Sequence, residues 1–214
     1  IRHYLGLLGP TGLTAFFGVT DVGKAKKGET FVVSAAGGAT GSVAGQIARI
    51  IGCKTIGIAG TQEKLDWILS DLGFDHGINY KTENVEDQLR KTCPEGIDVY
   101  FDNVAGPILD AVLANIAVHG RVALSGMMEN YNKDEPVPGP YQFDMLLMRR
   151  ATITGFLSRD FFPRMEESDS QIRTWIDQDL ISLRFDETEG IENAPTAYKC
   201  LFEGKNIGKS IIKI

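Results

Sequence analysis

V-V-S-A-A-G-G-A-T-G-S-V-A-G-Q-I-A-R, residues 32–49, decides the fold. A short apolar strand runs into a cluster of the smallest side chains and then into a helical pattern. The small residues fall at Ala36, Gly38 and Gly41, an A-x-G-x-x-G spacing with Gly45 four residues on. A tight strand-to-helix turn needs small residues or a positive φ. A diphosphate laid on such a turn meets backbone N–H groups at a helix N-terminus, where the helix dipole favours an anion. Later small residues let the helix lie close against the sheet. The first position departs from G-x-G-x-x-G, since Ala36 stands there. Alone the loop is compatible with plain tight packing; its setting argues for a dinucleotide.

That setting is a series of strands alternating with helices. T-F-V-V-S-A (30–35), K-T-I-G-I-A (54–59), a short run at 77–79, I-D-V-Y-F-D (97–102), G-R-V-A-L-S (120–125) and A-T-I-T-G-F-L (151–157) read as strands. Residues 41–52, 62–71, 84–92, 107–117 and 141–149 read as helices, the second carrying Leu65, Ile68, Leu69 and Leu72 on one face. Residues 128–140, rich in Pro, Asn and Gly, read as a long loop. Strands apolar on both faces, joined by helices, predict an α/β Rossmann fold: a doubly wound parallel sheet of about six strands. The rhythm breaks at the end. L-R-F-D-E-T-E (183–189) predicts a strand, 192–203 a helix and 206–214 a final strand, with nothing in the chain left for them to pair with. The first dozen residues are likewise short of a partner.

The chain has 214 residues, 43% of them hydrophobic, a net charge of −6 and a pI near 5.1. Acidity argues against nucleic acid or an anionic membrane as partner. No stretch approaches the roughly 18 continuous apolar residues of a membrane span. Cys53, Cys93 and Cys200 are widely spaced, which predicts reduced thiols in a cytoplasmic protein. His3, His76 and His119 are scattered too, so close-spaced ligands predict no zinc site.

The end of the second strand selects the nucleotide. An NAD site places an acid there to hold the ribose hydroxyls. Here the run is I-A-G-T-Q-E-K, with Gly60 in the acid's place. Glycine leaves room for a 2′-phosphate, Thr61 can donate a hydrogen bond and Lys64 a charge, although Lys64 also fits a solvated helix lysine. The reading is NADP(H) over NAD(H).

Seven ordered blocks carry a wider likeness: G-L-T-A-F-F-G (12–18), S-A-A-G-G-A-T-G-S-V-A-G-Q-I-A (34–48), G-I-A-G-T-Q-E-K (57–64), I-N-Y-K-T (78–82), D-V-Y-F-D-N-V-A-G (98–106), N-Y-N (130–132) and E-G-K-N-I-G-K (203–209). Together they resemble the zinc-independent medium-chain dehydrogenase/reductases, within them the prostaglandin reductase and alkenal or curcumin reductase group. Members carry an N-terminal GroES-like β domain that is missing here. The resemblance implies that 1–20 is the crossing segment from that domain, 21–184 the NADP-binding domain and 185–214 a returning tail that packs on the missing part.

By the same resemblance, Gly38 and Gly41 lie at the diphosphate with Ser42 and Val43 behind them. Gly60, Lys64 and Tyr80 face the 2′-phosphate. Asn103 meets the ribose and diphosphate, or else caps the turn after its strand. The backbone at Phe156 and Ser158 meets the nicotinamide amide, and Asn206 stands near the nicotinamide, or else serves only its turn. Tyr131 lies at the substrate as the candidate catalytic residue, or else is an exposed loop aromatic. The implied reaction is NADPH-dependent reduction of the C=C bond of an α,β-unsaturated ketone or aldehyde, a small-molecule enone, by a homodimer paired through 152–156. Two alternatives stay open: a non-catalytic NADP(H)-binding module, and a quinone oxidoreductase, which the N-Y-N and I-N-Y-K-T blocks disfavour.

Overall fold

The computed structural model describes residues 2–131 and 138–214. Six strands, β1 (Thr30–Ser34), β2 (Lys54–Ala59), β3 (His76–Asn79), β4 (Ile97–Asp102), β5 (Ile116–Leu124) and β6 (Thr152–Gly155), form one sheet in the order β3-β2-β1-β4-β5-β6. Every pair in it is parallel. This is the Rossmann order, with the topological switch point between β1 and β4.

The two central strands are buried on both faces because their alternate residues feed two different cores. Phe31, Val33, Val99 and Phe101 enter one core, and Val32 and Tyr100 enter the other. The first core is closed by α2 (Pro10–Phe17), α3 (Ala39–Ile51) and α8 (Met165–Asp177). The second is closed by α5 (Val85–Thr92), α6 (Gly106–Ala114) and α7 (Asp144–Arg149). Each fully buried large side chain stabilises by roughly 1.5–3 kcal/mol. Local signals set the helix ends. Asn84 caps α5 by accepting from the Asp87 N–H at 3.0 Å, and Gly52, at φ 99°, ends α3 in the left-handed conformation. Gly45 is forced, since a Cβ there would sit 1.9 Å from the Phe74 ring.

Several expectations need correction. The first dozen residues are not short of a partner: α1 (Arg2–Leu5) leads through Leu7 and Leu8, both buried in the first core, into α2, whose Phe16 lies 6.0 Å from Trp175 of α8. The tail strands β7 (Phe185–Glu189) and β8 (Lys209–Lys213) pair with each other in parallel, with α9 (Ala194–Phe202) as the crossover they require. Leu69 lies at the edge of the buried arc of α4 (Gln62–Ser70) and is 36% exposed, while Lys64 is inside the arc. α6 ends at Ala114, three residues before the predicted 117, and β5 starts at Ile116 rather than 120, with a register shift against β4. Residues 132–137, part of the predicted loop and including Asn132 of N-Y-N, lie outside the described residues.

Candidate nucleotide-binding site

The C-terminal ends of β1 and β4 bring the glycine loop and Asn103 together. The turn after β1 takes its positive φ at Ala35, 50°, rather than at Ala36. Ala36 is buried, and its N–H donates to the Ile58 carbonyl at 3.0 Å. An alanine therefore fits where the usual pattern has its first glycine. Gly38 is the N-cap of α3 in extended backbone, and no side chain among the described residues caps the helix. That leaves the first turn of α3 as a cradle for an anion, with the dipole favouring one. Gly41 is required, because a Cβ would approach the Ala35 carbonyl oxygen to 2.4 Å. Ser42 and Val43 are fully buried behind the loop, where the Ser42 hydroxyl donates to the Ala39 carbonyl at 3.1 Å.

At the ends of β2 and β3 the Tyr80 ring lies over Gly60. A Cβ on residue 60 would come within 2.8–2.9 Å of two Tyr80 ring carbons and the hydroxyl oxygen, and Tyr80 itself is 45% exposed. Thr61 is the N-cap of α4: its hydroxyl oxygen accepts the Lys64 N–H at 3.3 Å. The Lys64 side chain runs along Gly37 and is buried, and its ammonium donates to the Gly204 carbonyl at 2.7 Å. Burial, and next the Lys81 charge, lower its pKa from the ordinary 10.5. Glu63 turns away, to Arg184 at 3.5 Å.

The tail is fastened across this loop. The Gly208 N–H donates to the Gly37 carbonyl at 2.8 Å, and Gly208 forms a parallel bridge with Gly38. Asn206 sits between the two fastenings, with its amide donating to the Gly208 carbonyl at 3.1 Å. Its turn role is thus filled, on the segment that touches the glycine loop.

Asn103 is buried, with its side-chain amide donating to the Ser34 carbonyl at 2.8 Å and its backbone N–H to the Ser34 hydroxyl at 2.9 Å. Ser34 and Asp102 were missed as functional candidates, though both stand at the ends of apolar strands within the quoted blocks. Asp102 is buried. Its Oδ1 accepts from the Tyr100 hydroxyl, the Ser34 hydroxyl and the Val104 and Ala105 N–H groups, at 2.9, 3.2, 2.9 and 2.9 Å. Burial raises its pKa against the downward pull of those donors.

The loop after β5 is laced to the same place. Ser125 and Gly126 N–H groups donate to the Asp102 carbonyl, and Met128 N–H to the Asn103 carbonyl. A Cβ on Gly126 would lie 3.1 Å from the Asn103 carbonyl oxygen and 3.4 Å from the Tyr131 hydroxyl. Tyr131 is therefore next to the switch point. Its hydroxyl oxygen accepts the Met127 N–H at 3.2 Å, and its ring lines an open cavity of about 840 Å³ with Tyr198, Lys199, Phe202 and Glu203. Phe156 follows β6; its N–H donates to the Leu124 carbonyl at 3.3 Å and its ring packs against Phe101 and Phe161. Ser158, half-buried, opens a 3₁₀ turn running to Arg164.

The cradle at Gly38, the acid-free end of β2 where Tyr80 covers Gly60, and the polar groups of Asn103 fit a dinucleotide with a 2′-phosphate. A zinc ion has no such fit: among the described residues no group of three or more His, Cys, Asp or Glu side chains is placed to hold a metal.

Comparison with known proteins agrees with this geometry. Residues 39–173 match the sequence profile described as zinc-binding dehydrogenase. The chain is 39% identical over 215 residues to the NADPH-dependent curcumin reductase of Escherichia coli, spanning 98% of this chain and 62% of that protein. It is 40% identical over 215 residues to the 2-alkenal reductase (NADP(+)-dependent) of Nicotiana tabacum, spanning 100% of this chain and 62% of that protein. The solved structure of CurA in complex with NADPH from Vibrio vulnificus superposes with a TM-score of 0.94 at 39% identity, over 99% of this chain and 64% of that one. The chain thus spans just under two thirds of the length of these relatives. On the profile match and these likenesses, the chain belongs to the zinc-binding dehydrogenase family, among its zinc-independent medium-chain dehydrogenase/reductases.

Proposed function

We propose that the protein binds NADP(H) and reduces the C=C bond of α,β-unsaturated ketones and aldehydes. The observation that carries this reading is Gly60 packed under the Tyr80 ring at the end of β2, so that no carboxylate stands where an NAD site would hold an acid. The relatives named for NADPH-dependent reduction of curcumin and of 2-alkenals support it. In this reading the α3 N-terminus at Gly38 and Gly41 takes the diphosphate. Gly60, Thr61, Lys64 and Tyr80 surround the 2′-phosphate, and Asn103 takes the ribose. The backbone at Phe156 and Ser158, with Asn206 of the tail, holds the nicotinamide end.

When bound, NADPH supplies a hydride to the β-carbon of the conjugated alkene. The alkene electron pair then moves onto the carbonyl as an enolate, which takes up one proton. Tyr131 serves that step: its oxygen accepts from Met127, so its own O–H remains to donate to the developing enolate. Solvent then restores the phenol proton. The rest of the reading keeps 1–20, 21–184 and 185–214 as crossing segment, nucleotide domain and tail. It adds a homodimer through the bare outer edge of β6, where Thr152 and Thr154 are exposed. It also places the protein in the cytoplasm, supported by three free cysteines.

The experiment is a panel of enones, enals and quinones with NADPH and the intact protein. Saturated ketone or aldehyde product supports the reading. Turnover of quinones alone would replace it with quinone reduction, and NADPH binding without any turnover would replace it with a non-catalytic module.

A further inference from the structure

The carboxylate of Asp102 has an uneven surround. Four donors converge on Oδ1, while Oδ2 is buried with no hydrogen-bond partner among the described residues. A buried carboxylate oxygen left bare carries an energetic cost, so the position must return something. Asp102 stands at the C-terminal end of β4, beside the switch point, and its four donors fall into two groups. Tyr100 and the Val104 and Ala105 N–H groups belong to its own strand and turn. Ser34 belongs to β1, 68 residues away, at the start of the glycine loop.

The Ser34 hydroxyl is the link. It donates its proton to Asp102 Oδ1 at 3.2 Å and, with that proton committed, accepts the Asn103 N–H at 2.9 Å. The Ser34 carbonyl then takes the Asn103 side-chain amide at 2.8 Å. Both hydrogen-bonding faces of Ser34 are thereby spent on holding Asn103. The Asn103 side chain keeps its carbonyl oxygen, to which nothing among the described residues donates, as an acceptor. A ribose hydroxyl is a donor that would match it. The same carboxylate holds Ala105 at φ 63°, ψ −151°, a conformation costly for any residue but glycine.

We infer that Ser34 and Asp102 are positioning residues for the nucleotide, with the carboxylate orienting the Ser34 hydroxyl and the hydroxyl fixing Asn103 against the cofactor ribose. This rests on the NADP(H) reading above and deepens it. A merely structural role would make every donor to Asp102 equivalent. The positioning role makes Ser34 different from Tyr100, because only Ser34 reaches Asn103.

The test measures NADPH affinity by nicotinamide fluorescence, thermal stability, and backbone amide exchange at Asn103 without nucleotide, for Ser34→Ala, Tyr100→Phe and Asp102→Asn in the intact protein. Ser34→Ala should weaken NADPH binding about fivefold, the loss of one hydrogen bond, and speed exchange at the Asn103 amide. Tyr100→Phe should lower thermal stability while costing less affinity, and quickening Asn103 exchange less, than Ser34→Ala, since Tyr100 makes no bond to Asn103. Asp102→Asn keeps an oxygen in the Oδ1 position to orient the Ser34 hydroxyl, so it should weaken NADPH binding less than Ser34→Ala does; a larger loss than in Ser34→Ala would overturn the link through the hydroxyl. Equal loss of affinity in Ser34→Ala and Tyr100→Phe, or no loss in Ser34→Ala, would overturn the inference. Wild-type protein that fails to bind NADPH would instead overturn the nucleotide reading beneath it.

Discussion

The Lys64 ammonium donates to the carbonyl of Gly204, 140 residues away, at 2.7 Å, and the lysine is only 8% exposed. The same side chain that the 2′-phosphate reading needs therefore also ties the tail to the glycine loop. Replacing it touches both. The double variant Lys64→Ala, Tyr80→Phe should weaken NADPH binding at least tenfold, from two lost phosphate contacts at roughly 1.5–3 kcal/mol each, with a far smaller effect on NADH. Calorimetry with the two nucleotides reads this. Hydrogen exchange should also quicken at the Gly208 N–H, which is held by the Gly37 carbonyl. Equal losses for NADPH and NADH would remove Lys64 and Tyr80 from the 2′-phosphate.

Gly60 gives the converse experiment. Its Cβ position is filled by the Tyr80 ring at 2.8–2.9 Å. Gly60→Asp should displace that ring and place a negative charge where the phosphate would lie. NADPH affinity should fall about fivefold or more, since like charges a few ångströms apart repel by roughly 1–4 kcal/mol, while NADH gains a partner for its ribose. The ratio of the two dissociation constants is the readout.

Ala105 offers a test on stability. Its φ of 63° and ψ of −151° cost a side-chain-bearing residue about 1–3 kcal/mol, against roughly 0.5–1 kcal/mol for the extra chain entropy of glycine. Ala105→Gly should therefore stabilise the protein by about 1 kcal/mol in urea unfolding. Ala105→Val, with a branched side chain in the same conformation, should destabilise it.

Asp102 makes the stability depend on pH. Burial, the leading cause, raises its folded pKa above 3.8, so between 3.8 and the folded value the folded state binds more protons than the unfolded chain. The contribution is fully present below 3.8 and is lost as pH rises through the folded value. Asp102→Asn cannot titrate. Its Tm relative to wild type should climb as pH is raised through that window and then level off. A flat difference would show that Asp102 titrates alike in the folded and unfolded chains.

The doubly wound parallel sheet was legible because the apolar runs at 30–35, 54–59 and 97–102 alternate with amphipathic helices, and because the A-x-G-x-x-G loop marks the first crossover. What escaped depends on distant packing. Ile116 and Ala117 were read as the end of a helix running to 117, and the pairing of Ile116 with Ile97 of β4 is what makes them the start of β5. Leu69 and Lys64 share one helix, yet the lysine is the buried one, because the tail covers it. The tail strands looked partnerless because their partners are each other, some 24 residues apart across α9. Most of the predicted site residues gather at the strand ends, but Thr61 and Asn206 carry local hydrogen bonds there as cap and turn. Ser34 and Asp102 carried a readable signal: a hydroxyl and an acid closing two largely apolar strands find each other once buried.

The central claim is that the loop at Ala36, Gly38 and Gly41, with Gly60 and Tyr80 beside it, holds a 2′-phosphorylated dinucleotide. Calorimetric titration of the protein with NADPH and with NADH tests it most directly. The account predicts saturable NADPH binding at least tenfold tighter than NADH, the worth of one charge-assisted phosphate contact at roughly 1.5–3 kcal/mol. Equal affinities, or tighter binding of NADH, would contradict it.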